Sequence, residues 1–360
     1  MIRIRLYARF NLLLVFTAMA LTVFSSVAQE NLGPKVDALF AEYTGSNIPG
    51  ASVAVIQDGK VRFAKAYGMA EVEAKIPCAT NTNFRLASVT KQFTAMAVML
   101  LAERNKLSLD ESLLSFFPEF PACGQGITIR HLLNHTSGLV DYEDIIPQGT
   151  TIPVLDRDVL RLLLKEQKGY FSPGAKFRYS NSAYALLAQI IEARSGAPYA
   201  QFLKANIFQP LGMSNTLAYE QGISVVPNRA YGYSFDGTNF IRSDQSLTSS
   251  VLGDGGIYSS VSDLAKWDQA LYTNTLASQK TLELIFSPGP ATEHPNTAYG
   301  FGWYLGTYRG IKEIWHSGNT RGFSTRIARY PEKKFTVIIL TNRSDAKLES
   351  LPHQIFDLCL

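Results

Sequence analysis

Strand patterns near both ends of the chain, with helical patterns between them, constrain this sequence most. Residues 51–67 alternate β-branched and aromatic side chains around an Asp58-Gly59 turn, which reads as a hairpin. Four further strand patterns come late, over 300–308, 310–315, 325–330 and 335–341, with a short helix at the tail. From 107 to about 285 helical periodicity dominates, over 128–134, 157–166, 182–194, 199–207 and 263–271, punctuated by Pro and Gly. The economical packing is an α/β (α+β) fold. One antiparallel sheet draws on both termini, the first helix (35–43) and the last cover it, and the helical block inserts as a second lobe. The corresponding division is 29–104 with 295–360 as the sheet domain and 105–294 as the mainly helical lobe.

Residues 1–28 stand apart. Arg3, Arg5 and Arg9 precede an apolar run from Leu12 to Phe24 and the small-residue step Ser26-Val27-Ala28, the pattern of a secretory signal cut before Gln29. The competing reading is an uncleaved anchor, which the polar Thr17, Thr22, Ser25 and Ser26 weaken. The expected location is therefore periplasmic or secreted, with no stable membrane anchor. The formal charge of +4 includes those three arginines, so the rest is close to neutral and nothing marks a nucleic-acid binder. Hydrophobic residues make up 46% of the chain and charged ones 18%, which excludes a disordered chain or a coiled coil. Cys78, Cys123 and Cys359 allow at most one bridge, and their spacing fits no zinc set.

Three short motifs carry chemistry. Ser88-Val89-Thr90-Lys91 opens a helix over 88–104 whose apolar residues nearly encircle it. Ser88 and Lys91 share a face there, and a desolvated lysine has a lowered pKa and can take a hydroxyl proton. The same residues also fit a plain cap with a snorkelling lysine. Tyr179-Ser180-Asn181 precedes the apolar helix 183–191, so a phenol and an amide project from one side of an extended segment; capping by Ser180 or Asn181 explains it equally. His316-Ser317-Gly318, followed by Asn319, fits an edge against which a substrate backbone pairs, its histidine holding a carboxylate. It also fits a strand end turning at Gly318. A second Ser-x-x-Lys, Ser344 to Lys347, reads as solvated loop. His131 and His135 lack the Glu of a metalloprotease helix, and Gly253-Asp254-Gly255-Gly256 reads as a tight turn rather than a phosphate loop.

In this order, Ser-x-x-Lys, Tyr-x-Asn and His-Ser-Gly resemble the serine β-lactamase and penicillin-recognising family, particularly its class C β-lactamase and D-Ala-D-Ala carboxypeptidase branch. Phe84-Arg85-Leu86-Ala87-Ser88, His135-Thr136-Ser137-Gly138-Leu139, Pro210-Leu211-Gly212-Met213 and Tyr299-Gly300-Phe301-Gly302-Trp303 are similar to that family too. The resemblance implies Ser88 as nucleophile, Lys91 as its partner and Tyr179 as general base. It implies Asn181 orienting substrate and Lys91, and an oxyanion hole from the N–H groups of Ser88 and Asn319. His316 stands where β-lactamases usually carry lysine and is similar to carboxypeptidases, D-aminopeptidases and some esterases. The expectation is an acyl-enzyme hydrolase without metal or organic cofactor. It would act on D-amino-acid peptides, esters or amides, the alternatives being a β-lactamase or a penicillin binder without turnover.

Overall fold

The computed structural model describes residues 32–359; the signal-like segment lies outside them. Seven antiparallel strands form the main sheet: β1 (Ala51–Gln57), β2 (Lys60–Tyr67), β3 (Ala298–Tyr299), β4 (Tyr304–Tyr308), β5 (Ile311–Thr320), β6 (Phe323–Tyr330) and β7 (Phe335–Thr341), in spatial order β3-β4-β5-β6-β7-β1-β2. The N-terminal hairpin thus extends the C-terminal meander, with Ala51 opposite Thr341 and Gln57 opposite Phe335. Asp58 and Gly59 both take positive φ, 51° and 71°, as a two-residue hairpin turn requires.

Alternation along the strands sorts two cores. On one face Val53, Val55, Val337 and Ile339 pack against Val36 from α1 (32–39), Phe40 just after it, and Ile355 and Phe356 from the tail helix. On the other, Ala54, Ile56, Ile327 and Ile338 join the larger core shared with the helices. Helix α2 (Lys91–Glu103) is buried from Lys91 to Leu101 and packs on α3 (Asn181–Ser195), while α4 (Val261–Ala270) lies against β1 and β7. A buried ion pair ties α4 to the sheet: Arg329 Nε donates to Asp268 Oδ1 at 2.6 Å, and Thr336 Oγ1 donates to the same oxygen at 2.9 Å. Removing one partner of such a pair costs about 3–5 kcal/mol.

Two local expectations are revised. The strand expected over 310–315 runs on to Thr320, so His316-Ser317-Gly318 lies inside β5 rather than at a turn. Ser88 sits in a 3-10 turn (Ala87–Thr90) ahead of α2. All three cysteines are free thiols. Among the described residues no helix is long and apolar enough to cross a membrane.

Candidate active site

Ser88 is held out from the core by its neighbours. Phe84 and Arg85 pair with Ser259 and Tyr258, and Ala87 then takes a left-handed φ of 49° immediately before the serine. Such a conformation costs a non-glycine residue about 1–3 kcal/mol and is tolerated where surrounding contacts enforce it. Those contacts come from the sheet. Thr325 Oγ1 donates to the Leu86 carbonyl at 2.7 Å. A Cβ on Gly318 would lie 2.1 Å from that same carbonyl oxygen. Only glycine lets β5 press this closely on the serine turn, and the approach brings Asn319 onto the cavity wall beside Ser88.

Lys91 is buried under Ser88. Its Nζ donates to Ser88 Oγ at 3.1 Å, Asn181 Oδ1 at 2.9 Å and the Asp254 carbonyl at 2.9 Å. Three acceptors fill the three donors of the ammonium. Burial pushes the Lys91 pKa below its ordinary value, while Asp254, Asp141 and Glu143 oppose the fall. This is the desolvated lysine expected from the motif. The rival reading, a snorkelling lysine, fails because the amine has no route to solvent.

Tyr179 and Asn181 flank Ser180, which caps α3 by accepting from the Ala183 N–H at 3.2 Å. Capping and chemistry are therefore divided among three adjacent residues. The Asn181 N–H donates to Asp141 Oδ2 at 2.7 Å. The Tyr179 ring lies under Lys91 Nζ, 4.8 Å from its centroid, and its hydroxyl makes no hydrogen bond of good geometry to the described residues, although Ser88 lies near enough to pull its pKa down. Burial outweighs that pull and raises the phenol well above its usual range, so Tyr179 is a neutral phenol at ordinary pH.

His316 is not placed to hold a carboxylate as a cation. Its Nδ1 lies 2.6 Å from the Ser317 carbonyl, an acceptor, so that nitrogen carries the proton. Nε2 must then accept from the Tyr299 hydroxyl at 3.0 Å. Both nitrogens are occupied, and burial pushes the pKa down to about 3. The ring is neutral and presents no charge to a carboxylate. The cation on this flank is Arg326, paired across the strands with Ser317. Its Nη1 donates to Ser317 Oγ at 2.8 Å, and its guanidinium stacks 4.4 Å over Trp315. Arg326, Ser317, Trp315, Tyr179 and Ser88 line an open cleft of about 470 Å³.

Two residues set aside in the sequence belong to this centre. His135, expected on a helix with His131, follows that helix's end with φ 61°. Its Nδ1 accepts from the Ser180 N–H at 3.1 Å and its ring packs 4.4 Å from that of Tyr179. His131 instead accepts from the Thr128 N–H at the start of that helix, so the two imidazoles serve separate ends of one segment. Asp254, read as part of a turn, lies in a helical turn (Leu252–Gly255) that brings its carbonyl to Lys91. A Cβ on Gly253 would meet the Tyr184 carbonyl oxygen at 2.3 Å, which explains the glycine. The other Ser-x-x-Lys is surface: Ser344 and Lys347 are both exposed.

Sheet, inserted helices and a serine over a buried lysine define a serine hydrolase of the β-lactamase/transpeptidase-like fold. Comparison with known proteins gives the family: the beta-lactamase profile matches residues 36–359, and the chain belongs to that family. Penicillin-binding protein 4* of Bacillus subtilis (strain 168) is 36% identical over 326 residues, covering 85% of this chain and 72% of the relative. D-amino acid amidase from Ochrobactrum anthropi SV3, solved with L-phenylalanine amide, superposes with a TM-score of 0.77 at 26% identity, covering 91% of this chain and 96% of that one. EstCE1, described as a hydrolase with promiscuous acyltransferase activity, gives 0.76 at 25% identity, covering 92% and 99%.

Proposed function

We propose that this chain is an exported hydrolase that acylates on Ser88 and takes peptides, amides or small esters of D-amino acids. The observation that carries the reading is the Lys91 ammonium shared between Ser88 Oγ, Asn181 Oδ1 and the Asp254 carbonyl. In its neutral form Lys91 accepts the Ser88 proton as Oγ attacks the substrate carbonyl. Burial lowers Lys91 and raises Tyr179, so the first proton goes to the amine rather than to a phenolate. The oxyanion falls to the N–H groups of Ser88 and Asn319. As the C–N or C–O bond breaks, the Tyr179 hydroxyl protonates the leaving group and is refilled from Lys91. Asn181 keeps Lys91 and the substrate amide in register. His316 and Gly318 shape the β5 edge along which the substrate backbone lies, and Ser317 with Arg326 receives its anionic end.

The names of the relatives support amide and ester substrates of this kind. The test is a time course of intact mass with a fluorescent penicillin, run beside turnover of D-phenylalanine amide and a nitrophenyl ester. Turnover of the amide or ester with a Ser88-dependent adduct is the expected result. A penicillin adduct that persists with neither substrate turned over marks a penicillin binder, and rapid release of penicilloate marks a β-lactamase. Processing before Gln29 is checked by sequencing the N-terminus of the exported protein.

A further inference from the structure

Ser88 borders two spaces. Besides the open cleft on the Tyr179 side, a small polar cavity of about 50 Å³ shares Ser88, Asn181 and Asn319 with that cleft and is otherwise walled by residues such as Tyr142, Glu143, Thr248 and Asp254. That is room for one or a few waters, and its walls are rich in the polar partners a held water needs. Asp254 is 7% exposed. Its Oδ2 accepts from the Tyr142 hydroxyl at 3.0 Å, and Oδ1 takes no hydrogen bond from the described residues. A carboxylate oxygen open to this cavity beside a serine nucleophile, with its own main-chain carbonyl fixed to the catalytic lysine, is placed to meet a held water. The Tyr142 bond fixes the carboxylate's rotation, and the main chain to Tyr142 is itself pinned, its N–H donating to Ser182 Oγ at 2.7 Å.

We propose that the acyl-enzyme is hydrolysed from this cavity, by a water that gives its proton to Asp254. The inference rests on acylation at Ser88. Asp254 Oδ1 takes one proton as the water oxygen bonds to the ester carbon, and the carbonyl electron pair moves onto the oxyanion. On collapse the bond from carbon to Ser88 Oγ breaks, Asp254 passes its proton to the neutral Lys91 amine, Lys91 passes one on to Oγ, and the acid product carries the water oxygen and its remaining hydrogen. Lys91 ends neutral and Asp254 a carboxylate, as each was before acylation, which closes the cycle without a co-reactant. Burial raises the Asp254 carboxyl above the usual carboxylate range while Lys91 opposes the rise, which suits a proton acceptor better than an ordinary surface aspartate. Leaving-group departure thus draws on Tyr179 and water activation on Asp254, two different residues around Ser88.

The experiment separates the two half-reactions. Rapid mixing with a nitrophenyl ester gives the burst for acylation and the steady state for deacylation, and intact mass shows what accumulates. In Asp254→Asn the burst rate should stay within about threefold of wild type while steady-state turnover falls roughly a hundredfold or more, and the acyl adduct should persist on Ser88. Thr248→Leu, which narrows the cavity without touching the acid, should also slow deacylation and spare the burst. It decides the matter if Asp254→Asn does not fold. Equal loss of both phases in Asp254→Asn, or unchanged turnover in either folded variant, overturns the proposal. Turnover that survives Ser88→Ala would instead overturn acylation at Ser88.

Discussion

The two flanks of Ser88 are built from opposite materials. The Tyr179 flank is aromatic and uncharged around the nucleophile: Tyr179, Tyr299, His135 and His316 pack ring against ring, and both imidazoles are neutral. The Asp254 flank is acidic, with Asp141, Glu143 and Asp254 all acting on Lys91. Lys91 lies between them. Aromatic burial favours its neutral form and the acids favour its charged form, so it can accept and return a proton within one turnover. Neither flank alone would do this. Rings without acids would leave a permanently neutral amine, and acids without rings a permanently charged one.

The largest effect should come from the shared centre. Ser88→Ala should reduce hydrolysis to the uncatalysed background for every substrate, and mass spectrometry should find no adduct. Next, Tyr179→Phe should slow the acylation burst by about a hundredfold with no adduct building up, the reverse of the signature expected on the acidic side. A persistent adduct in that variant would show that both flanks serve the same step. Arg326→Met should raise KM roughly tenfold for substrates with a free carboxylate and leave uncharged esters unchanged; parallel changes would remove the anion-holding role. For pH, the sign follows from Lys91, which must be neutral to accept a proton. Because burial lowers its pKa, kcat/KM should rise with pH on a limb below the ordinary lysine value of 10.5. His316, pushed down to about 3, should add no descending limb near pH 6–7 for carboxylate substrates. A fall there confined to such substrates would restore the cationic imidazole. The smallest effect is Ser344→Ala, which should change neither burst nor steady state.

The contrast also explains what could be read in the sequence. The aromatic flank was legible because its residues occur in short contiguous motifs: Ser88 with Lys91, Tyr179 with Asn181, and His316 to Asn319. The sheet assembled from both termini was legible for a similar reason, since period-two alternation is local. The acidic flank was not. Asp254 lies 163 residues from Lys91 and reaches it through a main-chain carbonyl, which carries no side-chain signature. The charge of His316 was not legible because a lone imidazole beside a serine says nothing of the Tyr299 hydroxyl that occupies its second nitrogen. Arg326 went unremarked because only strand register places it beside Ser317.

The pairing of β1 with β7 has a consequence for how the protein is made. The Thr341 hydroxyl donates to the Gly50 carbonyl across 291 residues of sequence. Closing a loop of that length costs about 5 kcal/mol of chain entropy, spent before the contacts it enables can repay it. A topology dominated by such distant pairs folds slowly. While the polypeptide emerges from the ribosome, β1 and β2 have no central partner until residues 335–341 are synthesised. The main sheet therefore closes only after β7 is released.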